Sequence, residues 1–419
     1  MIEPDLELAQ TLFNELYAIG YDGIGVTRDT YGPGEQRAHD LVRLYGTKLG
    51  LEARVDAALN LYLTLPGRDR GLPAVLAGSH LDSVPRGGNY DGAAGVIAGL
   101  SVLASWIKSD RRPKRDVTVI SIRAEESVWF PVSYIGSKSA LGLLPPDALD
   151  AVRFDTGKTL GQYMEEQGGS PENIVNGTPA ISNATACAFI ELHIEQGPVL
   201  IDNQNAIGIV TGICGSLRYR SATITGQYAH SGATPRTHRH DAVVAFAELV
   251  HEMQERWQVM EAEGHELTLT FGQVNTDLKQ SDFSKVAGKI LFCIDIRSRD
   301  VATLDLMDYY VRLAVAEISA RLAVHFNLGE KIRSQPAIMD QALRRGLTNS
   351  AKHRGLKFHN MPSGAGHDAA MFANKGIPTA MIFIPNADGS HNPDEKMEMK
   401  DFDNGARVLS DILWDISNQ

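Results

Sequence analysis

A succession of apolar, strand-like runs in this chain each lead into residues of the kind that bind metal, and that pattern restricts the fold more than any other feature. AVLAGS runs into His80 and Asp82, VTVISIRA into Glu125 and Glu126, FIEL into His193, and TAMIFIP through a short loop into His391, while Asp91 lies in the turn GGNYDGAAG. In an open α/β sheet the carboxyl ends of the strands line the ligand crevice, so polar residues there converge although they are distant in sequence. The pattern points to a hydrolase with a pair of metal ions.

Two dications about 3.5–4 Å apart repel each other; a shared carboxylate lowers that repulsion, and imidazoles and further carboxylates fill the remaining positions. Asp91 suits the bridge. Asp82 follows its histidine by two residues, so in extended backbone it points to the same side and can accept the imidazole's other N–H. Glu125 and Glu126 are adjacent and in extended backbone face opposite ways, so one can bind metal while the other takes a proton from the attacking water. Mixed nitrogen and oxygen ligation suits zinc, manganese, cobalt and nickel alike. Two divalent ions per chain are expected, zinc foremost.

Periodicity sets the organisation. Residues 4–18 and 34–49 have helical spacing, the second run stopped at Gly50, and the glycine-rich turn at 87–95 opens a third apolar helix toward Trp106. Runs at 74–78 and 117–122 read as buried parallel strands. Between roughly 213 and 328 the order becomes strand 217–225, helix 241–260, strands 266–274 and 288–296, helix 301–321 and strand 322–328, the ferredoxin-like β-α-β-β-α-β arrangement. Alternation then resumes with helix 337–353, strand 377–384 and helix 402–416. The expected fold is α/β with two domains: a metal-binding catalytic domain, residues 1–212 and 329–419, with a mixed sheet flanked by helices, and an inserted ferredoxin-like domain, residues 213–328.

With 419 residues, 43% of them hydrophobic, the chain can bury a large core. A net charge of −11 argues against nucleic acid or an anionic membrane as partner, since both reward basic patches. Cys187, Cys214 and Cys293 show no metal-type spacing and suit reduced thiols in the cytoplasm. The acidic start MIEPDLELAQ lacks the features of an export signal, and no apolar run approaches the ~18 residues of a membrane span.

The motifs His80-Leu81-Asp82, Asp91, Glu125-Glu126, ELHIEQG (Glu191–Gly197), AHSGATP (Ala229–Pro235), SGAGHD (Ser363–Asp368) and Ser390-His391 run through essentially the whole chain. Together they resemble the M20 metallopeptidase superfamily, and within it the carbamoylase branch of N-carbamoyl-L-amino acid hydrolases, β-ureidopropionases and allantoate amidohydrolases. The resemblance implies one metal held by His80, Asp91 and His193, a second by Asp91, Glu126 and His391, and Glu125 as general base with Asp82 behind His80. It implies that the inserted domain is a lid that pairs in a homodimer, carrying His230 to the partner's active site to polarise the scissile carbonyl. It further implies that Arg297 grips the substrate carboxylate in a two-pronged contact, with Gln196 and the backbone around Gly364 and Gly366 completing that pocket.

The chain departs from the branch in two places. Ser127, Val128 and Trp129 follow the paired glutamates where the branch has glycine and then a basic residue, and Trp129 could favour a bulky substrate. The branch's PN-x-x-N-x-x-PG stretch, whose asparagine helps hold the substrate carboxylate, corresponds here to QSDFSKVAG, with Ser281 and Ser284 and no asparagine. The expected activity is hydrolysis of a linear amide or ureide beside a carboxylate, first an N-carbamoyl-L-amino acid, with allantoate or an N-acyl-amino acid as alternatives. A non-catalytic binding module would call for a broken ligand set, and this set is intact.

Overall fold

The computed structural model describes residues 3–419, so the start of the expected first domain lies outside the described residues. The chain forms two compact units: one comprises the chain up to Thr211 with Ile338–Met361 and His367–Gln419, the other Gly212–Ala337 with Pro362–Gly366. Among the described residues no helix is long and apolar enough to cross a membrane.

In the first unit the sheet runs Glu52–Val55, Leu61–Leu65, Val117–Ile122, Ala74–His80, Ala186–Ile194, Thr379–Ile384 and Ile207–Ile213. Its centre is parallel: Ala74–His80 pairs in that sense with both Val117–Ile122 and Ala186–Ile194, and Thr379–Ile384 with Ala186–Ile194. The flanking strands Leu61–Leu65 and Ile207–Ile213 pair antiparallel, which makes the sheet mixed. Val117–Ile122 and Thr379–Ile384 are buried along their whole length, which accounts for their unbroken apolar sequence. Helices Leu6–Gly20, Ala93–Lys108 and Met399–Ser417 share one core with these strands, joined by Leu12, Phe13, Ile97, Leu100, Leu409 and Leu413. Since the central strands are parallel, their carboxyl ends all open on one edge.

The second unit orders its strands Val274–Thr276, Lys289–Ser298, Gly215–Thr225, His325–Asn327, every pairing antiparallel. Counted along the chain this is second, third, first, fourth, the ferredoxin-like order. Helices Ala242–Ala262 and Val301–Leu322 cover the sheet through Leu249, Met253, Met307 and Val311. The expected strand 266–274 is broken into Thr268–Thr270 and Val274–Thr276, facing the register shift between Phe292 and Ile294. The main stretch of this unit runs on to Ala337, past the expected 328, because Lys331–Ser334 adds to Gly215–Thr225; its charged sequence, KIRS, hides an exposed edge strand.

Candidate active site

His80 is the last residue of its strand, and His193 lies near the end of Ala186–Ile194. Both are buried. The Nδ1 of His80 stands 3.0 Å from the Asp82 carbonyl oxygen and that of His193 2.9 Å from the Ile194 carbonyl oxygen. A carbonyl can only accept, so each Nδ1 donates there and each Nε2 is the nitrogen left to face the site. Both Nε2 atoms turn to one oxygen of Asp91: Oδ1 lies 3.6 Å from His80 Nε2 and 3.1 Å from His193 Nε2. The amide of Gly92 donates to the same His193 nitrogen at 3.2 Å. Gly92 has φ +66°, and a Cβ there would come within 2.5 Å of the His80 ring, so the turn after Asp91 requires glycine.

The other oxygen of Asp91 faces a second group. Oδ2 lies 3.3 Å from His391 Nε2, which is also 3.3 Å from Glu126 Oε1. His80, Asp91 and His193 form one triad of converging ligand atoms, and Asp91, Glu126 and His391 another. Asp91 thus divides its oxygens between the two, as a bridging carboxylate does. Burial would raise the Asp91 carboxyl, but its contacts with His193, His391 and His80 outweigh that and hold it well below the usual range. His391 is pushed up to about 11 by Asp91 and then Glu126. Imidazole nitrogens and carboxylate oxygens converge here, and a donor set of nitrogen and oxygen at this spacing fits divalent metal.

Glu125 and Glu126 do not lie in extended backbone. The strand ends at Ile122, and Ala124 adopts a left-handed φ of +57°, so the pair sits in a turn. Asp82 receives the Glu125 amide on Oδ1 at 3.1 Å and the Glu126 amide on Oδ2 at 3.2 Å. It reaches His80 Nδ1 with its side chain at 3.3 Å, farther than with its own carbonyl. Its carboxylate therefore secures the Glu125–Glu126 turn as well as the histidine. Burial pushes the Glu125 carboxyl well above the usual range, with His80 opposing and Glu126 adding to the rise.

Gln196 donates to Asp91 Oδ2 at 2.8 Å, so it stands on the bridging carboxylate. His230, Arg297, Gly364 and Gly366 belong to the second unit. His230 is exposed on the two-residue strand Ala229–His230, and its Nδ1 accepts from the Gly232 and Ala233 amides at 3.1 and 3.2 Å. The guanidinium of Arg297 meets Asp295 Oδ2 through Nη2 at 2.9 Å and through Nε at 3.2 Å, and donates from Nη1 to the Gly364 carbonyl at 3.0 Å. Gly366 closes the same short segment. Trp129, a possible substrate contact in the sequence, is a core residue: its ring is buried, its Nε1 donates to the Ser83 carbonyl at 2.9 Å, and the Arg153 guanidinium lies 4.5 Å above it.

Sequence reasoning assigned no role to several residues that build this site. Glu395 Oε1 receives the Tyr90 and Asp91 amides at 2.7 and 3.2 Å, and Ser390 donates to Asp91 Oδ2 at 2.6 Å and to Glu395 Oε2 at 2.8 Å. Glu191 and His367 form a further triad with His193, but the Glu191 oxygens are taken by Ser79 at 2.6 Å and the Ala369 amide at 2.9 Å. Burial, then the neighbouring His193, push His367 well below its usual range, so it stays neutral beside the His193 ring, 4.5 Å away between centroids. ELHIEQG and SGAGHD carried the signal for both.

The sequence profile of peptidase family M20/M25/M40 matches residues 76–415. Allantoate amidohydrolase of Escherichia coli (strain K12) is 34% identical over 94% of this chain and 94% of its own. N-carbamoyl-L-amino acid amidohydrolase of Geobacillus stearothermophilus is 32% identical over 94% of this chain and 94% of its own. Among solved structures, a hydantoinase/carbamoylase family amidase from Burkholderia ambifaria aligns with a TM-score of 0.86 at 30% identity, covering 100% of this chain and 99% of that one. Profile, relatives and the bridged ligand triads agree: the chain belongs to peptidase family M20/M25/M40, in its hydantoinase/carbamoylase branch, and is a hydrolase.

Proposed function

We propose that this protein hydrolyses the carbamoyl carbon–nitrogen bond of an N-carbamoyl-L-amino acid, releasing the amino acid, carbon dioxide and ammonia. The observation that carries the reading is the division of Asp91 between two ligand triads, Oδ1 toward His80 and His193 and Oδ2 toward His391. His80, Asp91 and His193 would hold one divalent ion and Asp91, Glu126 and His391 the other, zinc foremost with manganese, cobalt or nickel able to replace it. Such ions supply Lewis acidity that polarises the carbonyl and makes water acidic near neutral pH.

Glu125 takes the proton of the attacking water and returns it to the leaving nitrogen. Asp82 holds the Glu125 amide and so fixes the base relative to His80. His230, from the second copy of a homodimer, donates to the developing oxyanion. Arg297 holds the substrate carboxylate, with Gln196, Gly364 and Gly366 in support. A cytoplasmic setting agrees with Cys187, Cys214 and Cys293, which are free thiols.

Allantoate, named in the Escherichia coli relative, also sets a ureido group beside a carboxylate and is the second candidate. The loop that replaces the branch's asparagine stretch favours the amino-acid substrate. Its end, Lys285–Val286, pairs with Ala229–His230, and the Ser231 amide donates to the Ser284 carbonyl at 2.8 Å, so the loop is tied to His230. Phe283 on it and Leu278 two residues before it are exposed, which suits an apolar amino-acid side chain better than the wholly polar allantoate. The test measures ammonia release by zinc-, manganese- or cobalt-loaded protein from N-carbamoyl-L-phenylalanine, N-carbamoylglycine and allantoate, and release of phenylalanine from N-acetyl-L-phenylalanine. Fastest turnover is expected with N-carbamoyl-L-phenylalanine; preference for allantoate or N-carbamoylglycine would refute the apolar assignment, and no turnover with any metal would refute the reading as a whole.

A further inference from the structure

The chain must turn sharply after Ile122 to present Glu125 and Glu126, and it does so through a residue with no turn preference, Ala124, at φ +57°. A left-handed conformation is costly for any residue with a Cβ and persists only where its surroundings hold it. The Ile135 and Tyr134 amides hold the carbonyls of Ala124 and Glu125, and two buried carboxylates hold the amides. Asp82 takes the amides of Glu125 and Glu126, and Glu35 Oε1 takes the amide of Ala124 at 2.9 Å. Three successive backbone donors thus end on two side chains from elsewhere in the unit.

Glu35 is fully buried in the first turn of the helix Pro33–Lys48. Its Oε2 receives the Tyr31 amide at 2.6 Å and the Arg123 Nη1 at 3.0 Å. A glutamate at this place in a helix ordinarily serves its own helix start, and the Tyr31 contact does that. The Ala124 contact has no such use. Nor does stability call for a buried Glu35–Arg123 pair, since well-packed apolar side chains commonly replace such pairs without loss. What remains distinctive is that Glu35 grips the strained turn directly before the proposed base.

We propose that Glu35 is a positioning residue for Glu125: it fixes the left-handed turn at Ala124 and thereby the aim of the Glu125 carboxylate, without touching substrate. The inference rests on the reading of Glu125 as base. Glu35→Gln is the informative change because both oxygens of Glu35 accept backbone N–H groups. A carboxamide of the same shape can accept on one side only and sets its NH₂ against a donor on the other.

On zinc-loaded protein with N-carbamoyl-L-phenylalanine, or allantoate if that is turned over faster, Glu35→Gln should lower kcat about 10- to 100-fold, the scale of a small misplacement of a reacting group. KM and zinc content should hold. Glycine tolerates positive φ without outside support, so Ala124→Gly in the Glu35→Gln background should restore much of the lost kcat. A helix-capping role would not respond to glycine at 124. Hydrogen–deuterium exchange of the peptide spanning 123–127 in metal-free protein should quicken in Glu35→Gln and supplies a readout independent of turnover. Unchanged kcat and exchange, or a loss of kcat that tracks lost zinc and is not restored by Ala124→Gly, would overturn the proposal. Wild-type turnover in Glu125→Gln would separately remove the base, and this inference with it, whatever Glu35→Gln does.

Discussion

Glu125→Gln separates proton transfer from metal binding at this site. The backbone of Glu125 is fixed on both sides, its amide donating to Asp82 Oδ1 at 3.1 Å and its carbonyl accepting from the Tyr134 amide at 3.1 Å. A glutamine of the same shape therefore occupies the same place, and what disappears is the capacity to accept a proton. General-base catalysis contributes roughly 10²- to 10⁴-fold, so kcat should fall by that factor, equivalent to about 2.7–5.4 kcal/mol of barrier. Metal content and melting temperature should stay near wild type, because no ligand triad among the described residues includes Glu125. Glu126→Gln is the contrasting case: its carboxylate faces His391 at 3.3 Å in the second triad, so metal content should fall along with turnover. The assay is initial-rate ammonia release paired with elemental analysis of the same samples. Wild-type turnover in fully loaded Glu125→Gln would refute the assignment of the base, and metal loss in that variant would refute the division of labour between the two glutamates.

Other outcomes follow from the same geometry. His230→Ala and Asp91→Ala should each be inactive, and mixed, reassembled dimers should recover activity if His230 acts across the dimer; none recovered in proven hybrids excludes it. Arg297→Ala should raise KM for carboxylate substrates by about tenfold or more, the worth of a charge-assisted hydrogen bond, and an unchanged KM would show that the Asp295-bound guanidinium does not hold substrate. In the second unit, burial would raise Asp308, but hydrogen bonds from Tyr219, Lys331 and Arg312 prevail and hold it below its ordinary 3.8. A depressed carboxyl adds stability above that value and loses it as pH falls through the lower one, so Asp308→Asn should flatten the acid limb of the stability curve below about pH 4; an unaltered limb would contradict this.

The strand-end candidates were legible in the sequence because buried parallel strands read as unbroken apolar runs, and a polar residue at the end of such a run stands out. His80, Glu126, His193 and His391 were singled out that way and the glycine-rich turn marked Asp91, and the fold brings all five together. Residues that act through backbone contacts left no such mark. Glu35 lies among polar residues at a helix start, where a glutamate is ordinary, and only the folded chain brings it to the Ala124 amide. Glu395 sits in a polar loop distant in sequence from the Tyr90 and Asp91 amides it receives. The extended geometry expected of Glu125 and Glu126 failed because alanine gives no sign of a positive φ. Lys331–Ser334 was missed because an exposed edge strand has no buried face to impose alternation.

The central claim is that Asp91 bridges two metal sites. Elemental analysis after zinc reconstitution and desalting tests it directly on wild type, His391→Ala and Asp91→Asn. Wild type should hold about two zinc ions per chain, His391→Ala about one, and Asp91→Asn close to none, since its substitution removes a ligand from both triads. A wild type that saturates at one ion, or an Asp91→Asn protein that keeps both, would contradict the account.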